Sequence, residues 1–121
     1  MTQVNSPFLI VNVKSYLYDE ELLKLARAAD EVAEDTGLPI YFTCSYADLR
    51  LLKEHTRNLI ITAQSMDSLY PGRGMGHVLP DALRAAGASA VFLNHAENPK
   101  TVSGLYAAIK RAKELGMTTI V

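Results

Sequence analysis

Five short apolar runs alternate with amphipathic helical stretches from one end of the chain to the other, and this alternation restricts the fold to βα units on a parallel sheet. The runs are Phe8 to Val13, Ile40 to Cys44, Leu59 to Ala63, Ala90 to Leu93 and Met117 to Val121. Between the first two, Leu22, Leu23, Leu25, Ala26, Ala29, Val32 and Ala33 recur at helical spacing after Asp19, whose acidic neighbours Glu20 and Glu21 suit a positive helix end. Gly37 reads as a left-handed helix stop, and Pro39 prevents continuation. Ser45, with Asp48 three residues on, reads as a capping-box variant for a short helix that buries Leu49, Leu51 and Leu52. A long loop, Gln64 to His77, precedes a third helix that opens at Pro80 and is capped by Gly87. Asn98-Pro99 predicts the opening of the fourth helix, with Val102, Leu105, Ile109 and Ala112 on its apolar face and Gly116 at its end.

Four βα units plus a fifth strand amount to half of an eight-stranded βα barrel, so residues 1–121 read as a single half-barrel domain, incomplete without a partner chain. Its first and last strands would expose backbone donors and acceptors beside apolar faces, which proteins cover or pair. The expected cover is a complementary carboxyl-terminal half barrel or self-association. Acidic and basic residues are interspersed, 13 against 12, which argues against a nucleic-acid partner. No run approaches the roughly 18 apolar residues of a membrane span, and the first seven residues lack the pattern of a secretory leader. A single cysteine, Cys44, excludes an internal disulfide and fits the reducing cytoplasm.

In parallel α/β architectures the ligand site lies at the carboxyl ends of the strands. Two runs deliver chemistry there. The first ends in Asn12-Val13-Lys14 and the fourth in Asn94-His95-Ala96-Glu97, a set of amide, cation, imidazole and carboxylate suited to an anionic carbonyl substrate. Gly72-Arg73-Gly74-Met75-Gly76 does not pass directly from strand to helix as a phosphate cradle requires, and reads as a loop making subunit contacts. His55, His77 and Cys44 have no metal-ligand spacing, and no cofactor motif is present.

With these motifs in place, the chain resembles the amino-terminal half of triosephosphate isomerase, most closely the short archaeal form of that family. The likeness rests on Asn12-Val13-Lys14, on Pro71-Gly72 through Gly76-His77-Val78-Leu79-Pro80, and on Leu93-Asn94-His95-Ala96-Glu97-Asn98 at the matching ordinal positions of the βα series. It implies an α/β fold, half of a (βα)8 TIM barrel. It further implies cofactor-free interconversion of dihydroxyacetone phosphate and glyceraldehyde 3-phosphate in the assembled enzyme. By the resemblance, Lys14 binds and stabilises the substrate, Asn12 holds that lysine and contacts substrate, and Glu97 belongs to the charge network beside the lysine. His95 is implied as the neutral electrophile, a role known for this enzyme class, and a helix opening at Asn98-Pro99 would disfavour its charged form. The family's catalytic base, on the sixth loop, and its later phosphate-binding glycine segments match nothing in residues 1–121, so the chain alone is expected to be inactive. Ala96 stands where serine is usual, and Met75 replaces a threonine in a loop that typically reaches a neighbouring subunit. The readings kept beside this one are an isomerase of another small phosphosugar and a non-catalytic, self-associating half barrel.

Overall fold

The computed structural model describes residues 7–121. The segment read for a leader falls largely on residues 1–6, outside the described residues. Strands β1 (Leu9–Asn12), β2 (Ile40–Cys44), β3 (Ile60–Ala63), β4 (Ala90–Phe92) and β5 (Thr118–Ile120) form one parallel sheet in sequential order. Helices α1 (Asp19–Thr36), α2 (Leu49–His55), α3 (Pro80–Ala86) and α4 (Val102–Glu114) connect them, with a 3-10 turn at Tyr46–Asp48. This is the half barrel that the alternating pattern predicts. β2 matches its apolar run, and the other four strands are one residue shorter at one or both ends, as hydrogen-bonded boundaries commonly are.

Position in the sheet sets exposure. Central β2 is buried along its whole length, whereas β1 is largely exposed and β5 only partly covered. Phe42, Leu22, Leu49, Leu52, Val91 and Leu93 lie at the centre of the core, and burying each such side chain contributes about 1.5–3 kcal/mol. On α1, Leu22, Ala26 and Ala33 are buried as the periodicity predicts, but Leu25 and Val32, expected on the same face, are exposed. At the first edge of the sheet, Phe8 and the β1 residues Leu9 and Ile10 are also exposed. At the other edge, Val102, Tyr106, Ile109 and Val121 are exposed. Both edges of the sheet are thus incompletely covered.

Two local expectations fail. Ser45 makes no side-chain cap; Asp48 N–H donates to Ser45 O at 3.0 Å to close the 3-10 turn, and the buried Asp48 carboxylate accepts from Asp19 N–H at 3.3 Å. A capping box needs the helix to begin at once, and the tighter turn intervenes. Nor does α4 open at Asn98-Pro99. It starts at Val102, where Thr101 Oγ1 accepts from Gly104 N–H at 3.0 Å, a shared side-chain and backbone fit that Asn98 does not have. The Gly87 stop does hold: φ is 118°, and a Cβ there would lie 2.7 Å from Lys53 Cβ.

A charge cluster ties the long third loop to the helices. The Arg111 side chain, only 5% exposed, pairs with Asp81 and Glu114, donates to Leu69 O at 3.2 Å and lies 4.0 Å from the centre of the Tyr70 ring. Tyr70 OH bonds both Glu114 oxygens at 2.8 Å.

Candidate active site

Asn12, Lys14, His95 and Glu97 line one open cleft of about 230 Å³ at the carboxyl ends of the strands. Lys14 Nζ lies 2.9 Å from Glu97 Oε1 across 83 residues of sequence. Their strands, β1 and β4, are separated by two others, which in a flat sheet is a gap of roughly 14 Å. Curling of the sheet turns both strand ends inward and lets two long side chains close that gap.

Each side chain is aimed by its own backbone. Beyond the buried Val13, Lys14 takes a left-handed φ of 53°, and its N–H donates to Asn12 Oδ1 at 2.9 Å. After β4, Asn94 is also left-handed, with φ 66°, and its Oδ1 accepts from Lys100 N–H at 2.8 Å. Asn98 N–H returns to His95 O at 2.8 Å, so the chain folds into a compact loop before Thr101. Inside this loop Glu97 N–H donates to His95 Nδ1 at 3.0 Å. A ring nitrogen that accepts carries no proton, so this bond assigns the proton of a neutral His95 to Nε2 as a donor. The amide on the ring is that of Glu97 and not a helix end, which corrects the expectation built on Asn98-Pro99. Phe92 stands edge-on to the ring, centres 6.3 Å apart.

The Lys14–Glu97 pair fixes the site's charge. The hydrogen bond to Lys14 and its positive charge hold the Glu97 carboxyl below its ordinary 4.5, with His95 adding a smaller pull and partial desolvation opposing. The same contact raises the Lys14 ammonium above 10.5. Both partners are therefore ionised across the neutral range. Cys44, at the end of β2, is the opposite case: burial, with a smaller push from Asp48, moves its thiol up to about 12, which leaves no thiolate for nucleophilic work.

Sequence reasoning missed Ser15, Ser45, Tyr46, Gln64 and Ser65, which also line the cleft. Four of the five directly follow β2 and β3, so the strand-end rule that found Lys14 and His95 would have found them. Tyr46 is held above its ordinary 10.0 chiefly by burial, against a hydrogen bond with Ser65. His77 is elsewhere, its Nδ1 3.5 Å from Asp67 Oδ2 at the base of the third loop, whose Met75 is fully exposed. Among the described residues no group of His, Cys, Asp and Glu could hold a metal ion, and no helix is long and apolar enough to cross a membrane.

Comparison with known proteins bears on the family. The triosephosphate isomerase family profile matches residues 7–121. Triosephosphate isomerase of Methanobacterium bryantii is 37% identical over 118 residues, covering 96% of this chain and 52% of that protein. Those of Methanoculleus marisnigri and Methanopyrus kandleri are 32% identical over 120 residues and 36% over 118, covering 98% and 95% of this chain and 54% and 52% of theirs. The chain spans about half the length of the curated relatives it matches.

Proposed function

Since this chain belongs to the triosephosphate isomerase family, we propose that it supplies the carbonyl-polarising half of an enzyme that interconverts dihydroxyacetone phosphate and glyceraldehyde 3-phosphate in the cytoplasm, without a cofactor. His95, Lys14 and Glu97 are the catalytic residues and Asn12 binds substrate. The observation that carries the reading is the convergence of a His95 Nε2 donor and the Lys14 ammonium on one cleft, Lys14 being held by Glu97 at 2.9 Å.

Removing a proton beside the substrate carbonyl leaves an enediolate, whose negative oxygen these two donors stabilise. Lys14 also attracts the phosphate. Asn12 spends its Oδ1 on Lys14 N–H, leaving its Nδ2 group for substrate. Glu97 orients the ammonium, and the same contact makes it a poor base, because a carboxylate pulled below its ordinary range gives up basicity. The abstracting base therefore comes from a complementary carboxyl-terminal half barrel. That half would cover Phe8, Leu9, Leu25 and Val32 at one edge and Tyr106 and Ile109 at the other.

A second occupant of those edges is another copy of this chain, favoured by charge: α1 carries seven acidic residues against two basic, while α4 exposes Lys110 and Lys113. Coexpression with the carboxyl-terminal half of the Methanobacterium bryantii relative separates the two. The proposal expects isomerase turnover from the mixed assembly and a flat coupled assay from the chain alone. In the active assembly, His95→Gln and Lys14→Met should each lower kcat/KM by about 10²–10³-fold, the usual loss for one donor to a developing oxyanion, while His77→Gln changes little. Full activity in His95→Gln would overturn the assignment; a stable self-assembly that never accepts the second half would favour the non-catalytic reading.

A further inference from the structure

We propose that Thr43 and Gln64 are positioning residues that clamp the Asn12–Lys14 segment in its left-handed turn and thereby aim the Lys14 ammonium at Glu97. The functional meaning of the clamp rests on the reading of Lys14 as the substrate-binding cation; its geometry does not. A left-handed backbone is disfavoured for any residue with a Cβ, so Lys14, at φ 53°, needs neighbours that over-determine it.

Three adjacent strands supply them. On the amino side of Lys14, its N–H donates to Asn12 Oδ1 at 2.9 Å. That oxygen is also 3.1 Å from the hydroxyl of Thr43, the residue paired with Asn12 across β1 and β2. Thr43 is wholly buried, and its single hydroxyl hydrogen is shared between Asn12 Oδ1 and Val11 O, the latter 3.0 Å away. Turning the Asn12 amide over would set its NH2 against Lys14 N–H, so Oδ1 stays on this side, with the Thr43 hydroxyl packed against it. On the carboxyl side, the Lys14 carbonyl accepts from Gln64 Nε2, one residue beyond the end of β3. Both backbone polar groups of Lys14 are thus tied to the rim of the sheet, and the side chain leaves from a fixed point toward Glu97.

A merely structural role would show only in stability, so the test reads the Lys14–Glu97 contact. Carboxyl-carbon NMR on the full chain follows the titration of Glu97, whose titratable neighbours are Lys14 and His95. In the unmodified chain the midpoint should lie below the ordinary carboxylate value, and Lys14→Met marks where it goes when the contact is lost. Gln64→Met keeps the length but removes the donor, and Thr43→Val keeps the shape but removes the hydroxyl. Each should move the midpoint toward that of Lys14→Met, and Thr43→Ser should restore it. A midpoint unchanged in both Gln64→Met and Thr43→Val overturns the proposal. If Thr43→Val does not fold, Gln64→Met at the rim decides alone. No turnover is needed, so the two readings fail separately: a displaced midpoint with an inactive assembly supports the clamp and counts against the isomerase reading, while an active assembly with an unmoved midpoint overturns the clamp.

Discussion

The Lys14–Glu97 pair and the Arg111 cluster are built from the same chemistry and placed in opposite surroundings. Lys14 and Glu97 are 41% and 61% exposed at the side chain, face an open cleft, and bring one hydrogen bond to their ion pair. Arg111 is 5% exposed, and two carboxylates, a carbonyl and an aromatic face surround it. The difference separates two uses of charge. On the proposed reading, Lys14 keeps donors free and stays hydrated for a substrate. A charge that fastens a loop to two helices is satisfied completely by the protein, because an unpaired ion in that setting is costly.

The largest effect expected from breaking this contrast is on stability. Arg111→Leu should lower the unfolding free energy by about 3 kcal/mol, near the bottom of the range for removing one partner of a buried pair, since Asp81 and Glu114 are each about a third exposed and rehydrate in part. Urea denaturation measures it. A loss under about 1 kcal/mol would place Arg111 with ordinary surface pairs and dissolve the comparison.

Next in size is the response to acid. Glu114 is held below its ordinary 4.5 by the Tyr70 hydroxyl first and by Arg111 after it, and Glu97 by Lys14. A carboxylate lowered in the folded state binds fewer protons there than in the unfolded chain. Its contribution is therefore fully present above 4.5 and fades as pH falls through the lower folded value. Both carboxylates face solvent, which screens the effect, but only Glu114 anchors a buried cation. Thermal midpoints measured from about pH 7 to about pH 3 should show a shallower acid decline in Glu114→Gln and almost no change of slope in Glu97→Gln. Equal slopes in the two variants would remove the distinction.

How far the molecule was legible follows the range of each interaction. The alternation of apolar runs and helical faces is local, and it located every strand and helix. The ordinal positions of Lys14 and His95 in the βα series placed them at one rim. Hidden from the sequence was whatever depends on the partner chosen. Lys110-Arg111-Lys113 looks like a solvated basic face until Tyr70 and Asp81, 41 and 30 residues earlier, fold over its middle member. Asn98-Pro99 carries a good helix-opening signal, but Thr101, three residues after Asn98, finds the better cap in Gly104 N–H. Leu25 and Val32 belong to the periodic apolar face of α1, yet the packing of that helix on β2 and α2 leaves them exposed. The left-handed turn at Lys14 has no glycine or asparagine to announce it, because it is imposed by neighbouring strands.

That turn gives the smallest effect and the sharpest form of the contrast. Lys14→Met should leave the thermal midpoint unchanged, since the lost ion pair is exposed and the Glu97 carboxylate it leaves behind is hydrated. Lys14→Gly should raise the midpoint slightly. Glycine enters left-handed backbone freely, so the strain at φ 53° disappears while the bonds from Lys14 N–H to Asn12 and from Gln64 to the carbonyl, both made by the backbone of residue 14, remain available. Both variants should cut turnover by about 10²–10³-fold in an assembly with the complementary half. A site residue whose removal stabilises the fold and cuts activity is one retained for chemistry, whereas Arg111 should lose stability on any comparable change. Calorimetry on the two Lys14 variants decides the point: a clear drop in the midpoint of Lys14→Gly would mean that the lysine side chain itself holds the rim together, and that the open pair is as structural as the buried one.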